Sequence, residues 1–206
     1  DIDVFLQPLI EDLQKLWHGK EVYNAYKKEL FILRGILLCT VSDYPALGNL
    51  SGNIIKGYNA CVICGDQTKS TRLGNFKKMV VMRHRRWLPH HHPYRRQKSA
   101  FDNTLEKFSA PIPLTGEEVL ERLQPLRDHI YGKTQHQPRL KKGEPRPIWK
   151  KLSIFFKLEY WKFLPVRHVL DVMHIEKNIY EALTGTLLNI PGKTKDRESV
   201  HVDVAE

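Results

Sequence analysis

The chain has 206 residues, 41% of them hydrophobic and 10% aromatic, which suits one medium domain, or one domain with an insert, and excludes a disordered polymer. It holds no run of about 18 apolar residues that would cross a membrane as a helix, and its opening DIDVFLQPLI is not a signal peptide. The formal charge of +10 is concentrated: residues 67–107 carry eleven Lys and Arg against two acids, and residues 133–151 carry seven against one. Such blocks point to a polyanionic partner, most simply nucleic acid.

Leu6, Leu9, Ile10, Leu13, Leu16 and Trp17 recur at three- and four-residue steps, which predicts a helix stopped by Gly19. The sequence opens inside this helix without an initiator Met, so a fragment of a longer protein is expected. A second helix is expected from Glu21, with Val22, Tyr23 and Tyr26 as its apolar positions. The near-continuous apolar run Phe31–Val41 reads as a buried strand entering a loop at Ser42–Pro45, with a helix through Leu38 as the competing reading. Residues 46–60, rich in Gly, Asn and Ser, read as loop. Arg83–Arg96 interleaves cations, imidazoles and aromatics with two prolines and excludes a long helix.

Further along, Thr115-Gly-Glu-Glu118 has the form of a capping box before Val119, Leu120, Leu123 and Leu126. Residues 132–150 are Gly-, Pro- and Lys-rich and read as a flexible loop. Ser153–Trp161 is a compact aromatic segment. The last helix is expected from His168 to Leu188, before Pro191-Gly192, with Leu170, Met173, Ile179 and Leu183 on its core side. The sequence contains no internal repeat.

Three cysteines, two of them in Cys61-x-x-Cys64, favour a reduced compartment and a metal or redox role over a disulfide framework. Two thiolates on one knuckle are half of a tetrahedral zinc site, and an unligated pair is the bland alternative. A thioredoxin-like role lacks the strand–helix context it needs. Cys39 reads as core, so the missing donors come from histidines: His84 and His90–His92 nearby, His168 and His174 farther off. His168 and His174, six positions apart, reach one zinc only if His168 precedes the regular helix, which Pro165 allows.

Asp43 stands at the end of the expected strand. A carboxylate placed there is either a turn residue or a ligand for Mg²⁺, which takes hard oxygen donors. Asp171, His174, Asn178 and Glu181 share one face of the last helix, which is either a solvated stripe or an imidazole oriented by a carboxylate with an acid beside it. For nucleic acid, the candidate contacts are Lys77, Lys78, Arg83, Arg85, Arg86, Arg95 and Arg96.

Seven stretches carry a resemblance to a known family. They are Asp1-Ile-Asp-Val-Phe-Leu-Gln-Pro-Leu-Ile-Glu-Asp-Leu13, Ser42-Asp-Tyr-Pro-Ala-Leu-Gly-Asn-Leu-Ser-Gly52, Ala60-Cys-Val-Ile-Cys64 and His84-Arg-Arg-Trp-Leu-Pro89. Trp149-Lys-Lys-Leu-Ser-Ile-Phe-Phe156, Leu170-Asp-Val-Met-His-Ile-Glu-Lys-Asn178 and Gly185-Thr-Leu-Leu-Asn-Ile-Pro-Gly-Lys-Thr-Lys-Asp196 complete the set. Together they resemble the Tnp2-type transposases of plant CACTA (En/Spm-like) elements.

The resemblance implies a DDE transposase on a ribonuclease H-like α/β core, mostly helical and incomplete here, with a basic, zinc-associated insertion. Residues 1–66 would be part of that core, 67–150 the insertion, and 151–206 the returning aromatic segment and helix. Asp43 takes the place of the second catalytic acid, Cys61 and Cys64 that of the zinc pair, and His168 and His174 that of the distal zinc ligands. Glu176 or Glu181 would be the third acid, unless it lies beyond residue 206. The first acid lies upstream of the matching stretch. The expected cofactors are therefore Mg²⁺ for catalysis and structural Zn²⁺. The expected partners are transposon ends and target DNA, with self-association and without a membrane, and the expected location is the nucleus. On this reading the chain by itself is inactive; the alternative is a non-enzymatic, domesticated, zinc-stabilised DNA-binding module.

Overall fold

The computed structural model describes residues 2–75, 77–101, 103–126 and 147–191. Helix α1, Ile2–His18, has Asp3 in its first turn and Lys15 in its last, each complementing the helix dipole. It ends where the Gly19 N–H donates to the Lys15 carbonyl at 3.0 Å, with Gly19 in the left-handed region at φ 104°.

The expected second helix is instead a hairpin. Strands β1, Lys20–Asn24, and β2, Glu29–Leu33, pair antiparallel with Lys20 opposite Leu33. Asn24 sets the turn, its Oδ1 accepting from the N–H groups of Tyr26 and Lys27, both at 3.0 Å. The apolar run 31–41 is therefore two strands rather than one. β2 ends at Leu33, the chain breaks at Arg34-Gly35, and β3 occupies only Thr40–Ser42. Every residue of β2 is exposed, so the expected burial of this run does not hold for its first part.

The loop expected at 46–60 begins as helix α2, Tyr44–Ser51. Asp43 caps it, Pro45 sits in its first turn, and Gly52 closes it at φ 78°, where a Cβ would collide with the Lys151 carbonyl. β4, Ser70–Arg72, and β5, Met79–Val81, form a second antiparallel hairpin. The region 83–96 contains only short 3-10 turns, at His84–Trp87 and Pro93–Arg95. α3, Gly116–Arg122, has the full capping box between Thr115 and Glu118.

At the C-terminal end, β6, His168–Leu170, precedes α4, Val172–Leu187, so the first residues of the expected helix are a strand. Met173, Ile179 and Leu183 are exposed, not core. The loop expected at 132–150 lies outside the described residues up to 146, as does the chain after Pro191. Among the described residues, no helix is long and apolar enough to cross a membrane.

The chain divides into two compact units. The first takes in Asp1–Asn53, Leu114–Lys141 and Trp149–Ile175; the second takes in Ile54–Pro113, Lys142–Ile148 and Glu176–Glu206. The core of the first is aromatic. Ile10 from α1 meets Ile154, Phe155, Leu158, Tyr160 and Trp161, which lie in or between two 3-10 turns, Ile154–Lys157 and Trp161–Phe163. Phe155 stacks on Trp161 at 4.9 Å, and Trp17 lies 4.8 Å from Tyr160. Burying each of these large side chains contributes roughly 1.5–3 kcal/mol. Lys151 reaches into the same region and donates to fully buried Asp3, tying α1 to the 149–161 segment.

Candidate functional site

In the first unit, β3 and β6 run parallel in the register Thr40↔His168, Val41↔Val169 and Ser42↔Leu170. The Asp171 N–H donates to the Ser42 carbonyl at 2.8 Å, which extends the ladder by one residue. Asp43 and Asp171 are therefore the residues that follow the C-terminal ends of two neighbouring parallel strands. In open α/β sheets that end is where ligands bind. Each aspartate also starts a helix. Asp43 Oδ1 accepts from the Ala46 N–H at 2.8 Å, and Asp171 Oδ1 accepts from the N–H groups of Met173 at 3.0 Å and His174 at 3.3 Å. The extended backbone that ends a strand is the conformation an N-cap needs, so one residue does both jobs.

From sequence, Asp171 reads only as part of the polar stripe. The signal available in the sequence was Leu170-Asp171-Val172, an N-cap type directly after an apolar triplet, but its parallel pairing with residues 40–42 is a long-range fact. Glu176 and Glu181 are exposed on α4, and Glu181 lies 3.9 Å from Lys177. His174 is exposed as well.

His168 is part of the packing under the strand pair. Its Nδ1 is 2.7 Å from Thr40 Oγ1, and its ring meets Phe155 and Trp161 edge-on at 5.7 and 5.4 Å. Burial, helped by neighbouring Arg167, pushes its pKa down to about 4. The imidazole expected as a distal zinc ligand thus has one nitrogen committed to Thr40.

In the second unit, Cys61 and Cys64 form a tight knuckle. The Cys64 N–H points at Cys61 Sγ at 3.4 Å, and the Gly65 N–H donates to the Cys61 carbonyl at 2.9 Å with Gly65 at φ 52°. The two sulfurs are within hydrogen-bonding reach, and burial together with the Cys61 sulfur pushes the Cys64 thiol pKa up. Arg86 acts in the other direction, its Nη2 donating to Cys64 Sγ at 2.9 Å. The pair suits two of the four positions of a thiolate site. Among the described residues, no group of three or more His, Cys, Asp or Glu forms that could hold a metal.

The basic block separates into two populations. Arg85, Arg86 and Arg95 are buried, at 8%, 5% and 3% exposure, and their guanidinium groups are spent on the chain itself. Arg85 donates to the carbonyls of Tyr94, Gln97 and Thr104; Arg95 donates to those of Arg85, Leu88 and Phe108. Arg86 divides its donors between the Gln67 carbonyl and Cys64. Expected as DNA contacts, these three here turn the five donors of each rigid fork onto the chain itself and organise the loops around them. Arg83 is half-buried over the Phe108 ring at 4.3 Å. Lys77, Lys78 and Arg96 are exposed, as are Lys69, Arg72, Lys98 and Lys107.

The first unit thus carries a parallel strand pair that ends in two carboxylates, and the second is basic and carries the thiol knuckle. The family model described as Transposase family tnp2 matches residues 1–126. The chain belongs to this transposase family, and with membership comes DNA as the class of partner. No curated protein and no solved structure matches it.

Proposed function

We propose that the chain is part of the catalytic region of a DDE-type transposase of the plant CACTA (En/Spm-like) kind, built on a ribonuclease H-like core and acting in the nucleus. The observation that carries this reading is the side-by-side placement of Asp43 and Asp171 after β3 and β6. Two aspartates at neighbouring strand ends supply the hard oxygen donors that Mg²⁺ prefers. The ion, when bound, would activate the attacking hydroxyl and stabilise the leaving 3′ oxygen.

The residues of the chain hold that pair in place. Each carboxylate is pinned through one oxygen by its helix cap, and the aromatic core beneath, with His168 bonded to Thr40, fixes the spacing of the strands. Cys61 and Cys64 would hold structural zinc, with Arg86 supporting the Cys64 sulfur.

The test is Mn²⁺ binding, followed by paramagnetic resonance, in the unaltered chain and in Asp43→Asn and Asp171→Asn. Loss of the bound ion in each variant supports the paired site, whereas unchanged binding in both overturns it. Divalent-cation-dependent DNA joining by the chain alone, abolished by Asp43→Ala, would refute the expected inactivity.

A further inference from the structure

In the first unit a cleft of about 420 Å³ opens where α1 ends, lined by Trp17, His18, Arg34, Gly35 and Ile36. Neither Asp43 nor Asp171 lines it. We propose that this cleft takes one unpaired nucleotide of a DNA strand, with the base against the Trp17 indole and a phosphate on the Arg34 guanidinium. The proposal rests on the transposase family for the choice of DNA as partner, and it does not depend on the metal pair.

The walls of the cleft are tied down. The Gly35 N–H donates to the Leu16 carbonyl at 3.2 Å and the Leu37 N–H to the Tyr160 hydroxyl at 3.0 Å, which fixes the turn after β2 to α1 and to the aromatic core. The indole is fixed as well: its Nε1–H donates to Glu159 Oε2 at 3.2 Å, and its ring packs 4.8 Å from that of Tyr160. Even so, Trp17 stays 38% exposed, whereas Trp161 in the core is fully covered. An indole held at its edge, with ring surface left open, is a stacking partner ordered before its ligand arrives.

Arg34 is exposed at the same cleft. Its Nε stands 3.3 Å from where a Cβ on Gly19 would lie, so it crosses the C-terminal end of α1, where carbonyl dipoles favour a cation. Glu159, the acid that holds the indole, also lies 3.7 Å from the His18 ring. A flat π surface beside a guanidinium matches a base and its phosphate. The volume falls in the range of small-molecule sites, which suits a single nucleotide and not a duplex. Paired bases are covered on both faces, so only a base that has left the stack reaches the indole.

The experiment compares the affinity of the 206-residue chain for a short thymidine oligonucleotide and for an abasic strand of the same length. One stacked base is worth about tenfold. The unaltered chain should therefore prefer the intact strand by about tenfold, Trp17→Leu should lose that preference, and Trp17→Phe should keep most of it. Arg34→Gln should lower the slope of log affinity against log salt on the intact strand by about 0.7, the share of one single-strand phosphate.

Equal affinity of the unaltered chain for the two strands would overturn the proposal, as would a preference that survives Trp17→Leu. Tighter binding of an RNA strand of the same length would overturn the choice of DNA. Trp17 also packs on Tyr160, so a second measurement uses the unaltered chain and guards against a misfolded variant. An oligonucleotide carrying iodouracil, irradiated in the complex, must crosslink to Trp17; crosslinks confined to the second unit would overturn the cleft. Asp43→Asn must leave the strand preference unchanged, which keeps failure of the metal pair and failure of the cleft distinguishable.

Discussion

Acidification should destabilise the first unit through a single histidine. His168 is bonded to Thr40 and packed against Phe155 and Trp161, and burial lowers its pKa from 6.5 to about 4. In the unfolded chain the same imidazole takes up a proton near 6.5. The stability that comes from keeping it neutral is therefore fully present above about 6.5 and is lost progressively as the pH falls to about 4. That gap corresponds to roughly 3 kcal/mol, a large share of the stability of a small unit. The assay is urea unfolding, followed by tryptophan fluorescence, at a series of pH values across this window. Carboxylates also begin to titrate at its lower end, so the informative quantity is the difference from His168→Gln, which cannot ionise. The variant should start less stable above the window and lose less on acidification. Parallel pH profiles for the two proteins would refute the reasoning, because His168 would then be titrating alike in the folded and unfolded chains.

Three other perturbations test what holds each unit together. Lys151→Met leaves fully buried Asp3 without its cation and should cost roughly 3–5 kcal/mol, while the double variant Asp3→Leu/Lys151→Met should recover most of it; calorimetry of both would show this. Arg95→Lys should destabilise the second unit by roughly 3 kcal/mol, because three carbonyls lose a fork that an ammonium cannot copy; amide exchange across 85–108 would report it, and wild-type protection would argue against a structural role. Gly52→Ala should cost more than about 1 kcal/mol by thermal melting, from a positive φ combined with a collision at the Lys151 carbonyl.

What could be read in advance was local. Thr115 and Glu118 lie three residues apart and cap their helix without help from the rest of the chain, so the box was legible. The helix ending at Gly19, the strand-end position of Asp43 and the compact aromatic segment around Phe155 and Trp161 were also visible as short patterns. The α2 signals were present too, with Asp43 before Pro45 and Gly52 after Ser51, but the Gly- and Asn-rich composition of 46–60 masked them. Other features were decided at a distance. Asp171 acquires its neighbour only through pairing between residues 40–42 and 168–170. The fate of Arg85 and Arg95 depends on carbonyls between Arg85 and Phe108 that no periodicity brings together. Charge alone made all seven of the candidate arginines and lysines DNA contacts; three of them also hold the second unit together.

The β1–β2 hairpin has a practical consequence. Leu30, Phe31, Ile32 and Leu33 are all exposed, on both faces of a two-stranded ribbon, where a free edge offers its backbone to any extended partner. A short apolar β segment of this kind is the sort that nucleates aggregates. Lys27 and Lys28 before it and Arg34 after it are gatekeepers in the sense that their like charges resist stacking of copies. Handling of the purified chain should therefore be governed less by its large net charge than by these three flanking cations, and buffers of high ionic strength, which screen them, are the ones in which it will come out of solution first.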